Sequence, residues 1–385
     1  MTIEQRPVGY FVHHQGRGHA ERSAAIANAL APQRPVTLFC AREDVFPALS
    51  DGVECRVIPS LFEEEHPSPP GLAALETPDT LHCAPVGWPQ ITGAIAQIVD
   101  WFSTAQPALF ITDVSAELGQ LARIASVPHM AVLQHGMRDD PGHVAAYRGA
   151  AALLAPYDST LDQPCEPGWK RAKTIHAAGL GVDTAKLSDK AAARRRLGLA
   201  DNREYVVVVG GGGGRGLPSA PLTLGARAEP DTQWVTLGNI ESEWHETPPA
   251  NLSHLGWVEN AEDWISAADR IVSTAGNTTV HLVAAAAKPW IVVPEWRYFG
   301  EQVCKAEALD RAGAAAHARI WPSSAQEWAG YWNAALQIEP ENQRRLVSPD
   351  ADRKVAVEIE GLIARLWSQE PNAPILQATP GAATA

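Results

Sequence analysis

The residues most able to act on a ligand gather where apolar runs open into small and hydroxylated ones. At 271–279 the pair Ile271-Val272 gives way to Ser273, Thr274, Ala275, Gly276 and Asn277, and Thr278 and Thr279 lead into a run whose Val280, Val283, Ala284 and Ala287 share one helix face. Backbone N–H groups at a helix start, with roughly half a positive charge from the helix dipole, suit an anion such as a phosphate. Ser273, Thr274, Asn277, Thr278 and Thr279 could add side-chain donors, and no carboxylate lies between Ser273 and Lys288. Capping of the helix by its own hydroxyls would account for the same residues, and the segment alone leaves both readings open.

Two further junctions have this character. The apolar run 205–209 (YVVVV) empties into five glycines, Gly210, Gly211, Gly212, Gly213 and Gly214, then Arg215 and Gly216. The run lacks the G-K-[ST] ending of a P-loop; it offers close backbone approach to a ligand and a guanidinium suited to phosphate, against the plainer reading of a flexible turn. Near the start, an apolar run at 8–13 leads into His14, Gln15, Gly16, Arg17, Gly18 and His19 ahead of an Ala-rich helix at 20–30. Glu21 stands where G-x-G-x-x-G needs its third glycine, so a dinucleotide fingerprint is not supported. His19 at that helix start is a candidate general base, with a polar capping role as the alternative. Asp113 and His135 follow the strand-like runs 108–112 and 129–133, at the carboxyl edge where ligands bind in open α/β sheets.

The elements that must position these residues read as two successive series of strand, loop and helix. Strands are expected at 8–13, 36–40, 54–58, 108–112, 129–133 and 150–155, then at 205–209, 233–237, 252–255, 271–272 and 290–293. Helical periodicity marks 20–30, 91–102, 118–125, 187–199, 261–268, 278–287, a stretch through Leu309, and 355–367. Repeated βαβ units require parallel sheets. Residues 60–89, with Glu63-Glu64-Glu65 and Pro67, Pro69 and Pro70, form a long excursion of the kind that often carries function. Residues 157–173 have linker composition.

At 385 residues the chain is long enough for two cores, and 45% hydrophobic content can fill both. A net charge of −13 disfavours a sequence-independent grip on nucleic acid or an anionic membrane, so neither partner is expected. Five scattered cysteines without a C-x-x-C pair suggest reduced, structural thiols, and no signal-peptide pattern or ~20-residue apolar span is evident, so a cytoplasmic protein is expected.

The assembled motifs resemble the GT-B glycosyltransferases, and among them the lipid-linked N-acetylglucosaminyltransferase of peptidoglycan synthesis and its relatives, over most of the chain. Gly16, Gly18 and His19 match the family's N-terminal G-x-G-H loop, and Gln134, His135 and Gly136 fall where an acceptor-facing loop is found. The glycine run at Gly210 opens the second domain. Gly256, Trp257 and Val258 match a loop that holds the nucleobase, Ser273, Thr274, Gly276, Asn277 and Thr278 match the diphosphate-binding helix start, and Glu301-Gln302 match a pair that grips donor-sugar hydroxyls. A glutamate that relatives use on the ribose is replaced here by Leu282, for which the neighbouring His281 or a backbone carbonyl could substitute. An acid in the acceptor loop is replaced by His135.

The resemblance implies an α/β protein of GT-B type, with two Rossmann-like doubly wound domains facing across a cleft: an acceptor domain at 1–163, a donor domain at 164–345, a helix at 346–368 crossing back, and a disordered tail at 369–385. It implies an inverting transfer from a nucleoside diphosphate sugar, with UDP or dTDP favoured over GDP, to a small-molecule or glycan acceptor. No cofactor and no metal are expected, because the D-x-D of Asp350 and Asp352 is remote from both glycine loops. His19 is the first candidate base, Asp113 the second or an orienting partner, and His135 the third. Gly211, Gly212, Gly213, Arg215 and the 273–277 backbone would steady the leaving diphosphate. A nucleotide-sugar hydrolase such as that of the pseudaminic acid pathway shares the pattern G-x-G-H-x-x-R, here Gly16, Gly18, His19 and Arg22. That activity and a non-catalytic nucleotide-sugar-binding protein are the alternatives.

Overall fold

In a computed structural model of the chain, the structure describes residues 3–212, 214, 216–241 and 247–370. Strands β1 (Val8–Phe11), β2 (Val36–Cys40), β3 (Val53–Val57), β4 (Leu109–Asp113), β5 (His129–Val132), β6 (Ala152–Ala155) and β7 (Thr174–His176) form one parallel sheet in the order β3-β2-β1-β4-β5-β6-β7. β1, β2, β4, β5 and β6 are buried at every position, as expected for strands covered by helices on both faces. Edge strand β3 instead turns Glu54 and Arg56 outward, which suits a rim facing water. Packing over β1 is so close that a Cβ on Gly9 would lie 2.7 Å from the Trp101 ring and 2.8 Å from Phe110.

The second sheet holds β8 (Glu204–Val209), β10 (Thr232–Leu237), β12 (Leu252–His254), β13 (Arg270–Ser273), β14 (Trp290–Val292) and β15 (Ala316–His317), parallel and ordered β12-β10-β8-β13-β14-β15. A short ribbon pairs β9 (Leu217–Pro218) with β11 (Ile240–Glu241). In the first sheet the chain moves outward to β2 and β3 and then returns to place β4 on the other side of β1. In the second it does the same around β8 and β13. Crossovers that leave in opposite directions open a crevice above the carboxyl ends of the central pair. The topology therefore designates the β1/β4 and β8/β13 edges.

The final helix, Ala351–Leu366, packs on the helix Arg17–Leu30, and Arg34 donates to both Glu360 carboxylate oxygens at 2.5 and 2.6 Å. Trp367 Nε1 donates to Ala108 O at 3.0 Å, so the end of the described chain lies against the first sheet. Asp350 and Asp352 stand at the start of that helix.

Several elements differ from the sequence expectation. β7 extends the first sheet past the limit expected at residue 163; it is three half-buried residues at an edge, too short to show a period. The helix Pro141–Gly149 begins inside what reads as the loop following Gln134, because Asp140 caps it and Pro141 occupies its first turn. The tail expected to be disordered falls, from residue 371 onward, outside the described residues. Among the described residues no helix is long and apolar enough to cross a membrane.

Candidate active site

His19 stands in the first turn of the helix Arg17–Leu30 that follows β1, and Asp113 closes β4 with its carboxylate fully buried. Because β1 and β4 are neighbours, the crossover brings two residues 94 positions apart to 3.2 Å, from His19 Nδ1 to Asp113 Oδ1. Arg22, one helical turn beyond His19 and so on the same face, donates to both oxygens of Asp113, Nε to Oδ2 at 2.7 Å and Nη2 to Oδ1 at 2.6 Å. Burial alone would raise the Asp113 carboxyl; Arg22 and then His19 overcome it and hold it well below the usual carboxylate range. Asp113 is thereby a fixed anion that can orient an imidazole, not a proton acceptor.

Arg22 Nη2 also approaches His19 Nδ1 to 2.6 Å. The ring nitrogen can donate to Asp113 or accept from Arg22, not both. The Arg22 approach is the shorter of the two and a guanidinium only donates; Nε2 is bare to take a proton from a substrate in the tautomer that turns Nδ1–H toward Asp113, and the side chain is 19% exposed.

At the second crevice, β8 runs into the glycine loop and β13 into Ser273 and Thr274, and Thr274 N donates to Val209 O at 3.1 Å. A Cβ on Gly211 would lie 3.4 Å from Thr274 Oγ1, and one on Gly212 would lie 2.9 Å from the Trp257 ring. Trp257 is thus laid against the glycine loop, with Gly256 O accepting from Gly238 N at 2.7 Å below it. The helix Asn277–Ala286 starts from Gly276, and among the described residues no side chain caps it there. Thr274 Oγ1 is buried and, among the described residues, has no hydrogen-bond partner. The capping bond that the plainer reading expects is not seen there, and the helix start and the hydroxyl are donors of the kind an anion takes.

The two crevices meet. A Cβ on Gly18 would lie 3.0 Å from Thr278 Oγ1, and Thr278 Oγ1 donates to Glu21 Oε2 at 3.1 Å. The helix starts that carry His19 and Asn277 therefore abut, with a first-helix carboxylate at the anion-attracting end of the other. Further along the cleft, Met137 N donates to Phe299 O at 2.8 Å and Arg138 Nη2 stands 3.4 Å from Glu301 Oε2.

Several sequence-level assignments need correction. His135 is fully buried, Nε2 bonds with Leu161 O at 2.9 Å, and burial, with Lys305 nearby, holds its pKa well below the usual value, so it is a core residue and cannot serve as the base. His281 is likewise inaccessible, with burial and Lys305 lowering it to about 3, and Leu282 packs into an apolar core cluster, so neither side chain meets a ribose here. Ser273 Oγ is engaged internally, donating to Thr274 O and accepting from Trp290 Nε1, each at 2.9 Å. Gln302 Oε1 accepts from Ala275 N at 3.0 Å and Glu295 N at 2.9 Å, making it a brace between the two loops. Gln134 Oε1 accepts from Arg138 Nη2 at 2.6 Å. Gly213 and Arg215 lie outside the described residues.

The sequence reading missed three charged residues. Arg22 enters the sequence pattern only as the last position of G-x-G-H-x-x-R, although its i+3 spacing from His19 is the available signal. Lys305, one turn after Glu301, is buried and donates to Asn277 Oδ1 at 2.9 Å; burial lowers its pKa to about 8. Glu295 lies against the Gly214 backbone, paired with Arg297 Nη2 at 2.9 Å.

No family model matches the chain, and no curated protein matches it in sequence. Solved structures do. MurG of Acinetobacter baumannii is 17% identical with a TM-score of 0.61, over 93% of this chain and 99% of its own. Phytolacca americana UGT2, complexed with UDP-2-fluoro-glucose and pterostilbene, is 12% identical with a TM-score of 0.63 over the same shares. The UDP-GlcNAc 2-epimerase of Neisseria meningitidis, bound to UDP-GlcNAc, is 12% identical with a TM-score of 0.54, over 92% of this chain and all of its own. At these identities the likeness is one of fold.

Proposed function

We propose, on the premise that the chain has the GT-B fold, that it moves a sugar from a nucleoside diphosphate donor to an acceptor hydroxyl, with inversion and without a divalent metal at the diphosphate. The observation that carries this reading is the His19–Asp113 pair standing beside the uncapped start of the helix Asn277–Ala286. The acceptor oxygen attacks the anomeric carbon as its proton passes to His19 Nε2, and the bond to the diphosphate breaks with its electron pair leaving on the phosphate oxygen. Asp113 holds the imidazolium that forms. Backbone N–H groups at 277–279, Thr274 Oγ1 and the glycine loop receive the departing charge. Lys305 contributes positive charge from behind Asn277.

The UDP-sugars bound by two of the similar structures favour a uridine donor, with dTDP next. On this reading Trp257 and Val258 flank the nucleobase, and Glu301 and the amide nitrogen of Gln302 meet the sugar hydroxyls, with Glu295 beside them. Acceptor space is supplied by an open cavity of about 580 Å³ lined by His14, Arg42, Ile58, Glu63 and Glu65, of a size that admits an organic molecule. Its glutamates favour a neutral or cationic acceptor.

Hydrolysis is the second reading, favoured by the contact of Arg22 with His19 Nδ1, which unites the residues of the G-x-G-H-x-x-R pattern. Donor alone should release nucleotide slowly and an added acceptor should raise that rate many-fold. Fast release that no acceptor accelerates would make the protein a hydrolase.

A further inference from the structure

Apart from both crevices, three side chains with metal-binding atoms converge: His82, from the Pro-rich stretch at 60–88, and Asp140 and His143, from the start of the helix Pro141–Gly149. Asp140 Oδ2 lies 2.6 Å from His143 Nδ1, Asp140 Oδ1 lies 3.4 Å from His82 Nδ1, and the two imidazole rings are 4.2 Å apart. One donor atom from each residue falls within 4.8 Å of the other two. Bonds of about 2.0–2.2 Å around a tetrahedral ion place its ligand atoms roughly 3.3–3.6 Å apart, so small rotations of these side chains would enclose one.

The backbone that presents His82 is fixed on its own account. Glu117 Oε1 accepts from both His82 N and Cys83 N at 2.8 Å, and Gln120 Nε2 donates to Thr80 O at 2.7 Å. Gly142 is packed so closely that a Cβ there would collide with the backbone of Leu81 and His82. The His143 side chain is 4% exposed, whereas His82 and Asp140 are 31% and 34% exposed, which leaves an approach from solvent. Two imidazoles and one carboxylate suit zinc and its neighbours in the transition series; magnesium and calcium prefer all-oxygen sites.

We infer that His82, Asp140 and His143 bind one divalent transition-metal ion of the zinc class, which ties the Pro-rich stretch to the helix Pro141–Gly149. Phe299 of the second half borders the site, its ring 5.2 Å from His82 and 5.4 Å from His143, so the ion fastens the first-sheet rim of the cleft. None of its ligands belongs to the glycine loops or to 273–279, and it is separate from the diphosphate chemistry proposed above.

The test uses the full-length protein stripped with a chelator and then freed of it. Titration with zinc against a chromogenic competitor should show one site tighter than about 1 µM. His82→Asn, on a partly exposed side chain, should keep the melting temperature of the stripped protein and weaken that site by about tenfold or more. Zinc should also slow proteolysis within 66–88 in the original chain and not in the variant. The inference is overturned if no site in the micromolar range is found, or if His82→Asn and Asp140→Asn both bind zinc as the original does; Asp140 would then be only a helix cap paired with His143.

Discussion

The two crevices occupy equivalent places in their sheets and are built from opposite materials. At β1/β4 the charges are side chains, and they satisfy one another: Asp113 is buried between Arg22 and His19. At β8/β13 the groups are glycines, a helix start that no side chain caps and the hydroxyl of Thr274, which has no partner among the described residues. A site whose polar groups are already paired is pre-organised to act on a substrate proton, and one whose donors are unpaired is organised to receive an anion. On the proposed function, proton transfer falls to the first crevice and donor binding to the second.

The largest effect should come from unbalancing the first crevice. Arg22→Met leaves the Asp113 charge buried against a single imidazole and should cost about 3–5 kcal/mol of stability, measured by denaturant unfolding. The second crevice should answer differently. Thr274→Val removes a hydroxyl that pairs with no described residue, so stability should hardly fall, while donor affinity should drop by about 1.5–3 kcal/mol if that hydroxyl meets a phosphate oxygen. Equal stability losses in the two variants would break the comparison.

Those contrasts bear on what the sequence could disclose. Both glycine loops were legible because each follows a run buried on both faces, and β1, β4, β8 and β13 all carry such runs. His19 and Asp113 could be placed at one sheet edge because parallel topology sends every such residue there. Their contact, however, depends on strand order, which fixes β1 beside β4 and which no local pattern encodes. His135 shows the limit most plainly: it too follows a strand, but its ring turns inward to Leu161 O, and position at an edge does not give side-chain direction. Lys305 escaped notice because a lysine on a helix ordinarily faces water, and only packing shows this one buried. The trio at His82 spans 62 residues of chain and has no ligand spacing to read.

A pH profile sharpens the comparison further. Lys305 is charged below about 8 and neutral above it, its pKa lowered by burial. If the second crevice holds the diphosphate as proposed, the charged form binds it better, so nucleotide affinity should fall several-fold as pH rises through about 8, and Lys305→Met should flatten that fall. An unchanged slope in the variant would remove Lys305 from the anion site. The smallest effect is expected at the contact between the crevices. Glu21→Gln removes a carboxylate from the start of the Asn277 helix and should raise donor affinity by about two- to fivefold, a helix-dipole contribution of ~0.3–1 kcal/mol.

The division of labour is tested most directly in His19→Ala, with nucleotide affinity measured by calorimetry and turnover measured on the same preparation. The account predicts turnover lower by about 10²- to 10⁴-fold with the dissociation constant of the nucleotide within about twofold of the original. Turnover that survives, or a nucleotide affinity that falls in step with it, would contradict the assignment of proton transfer to the first crevice and donor binding to the second.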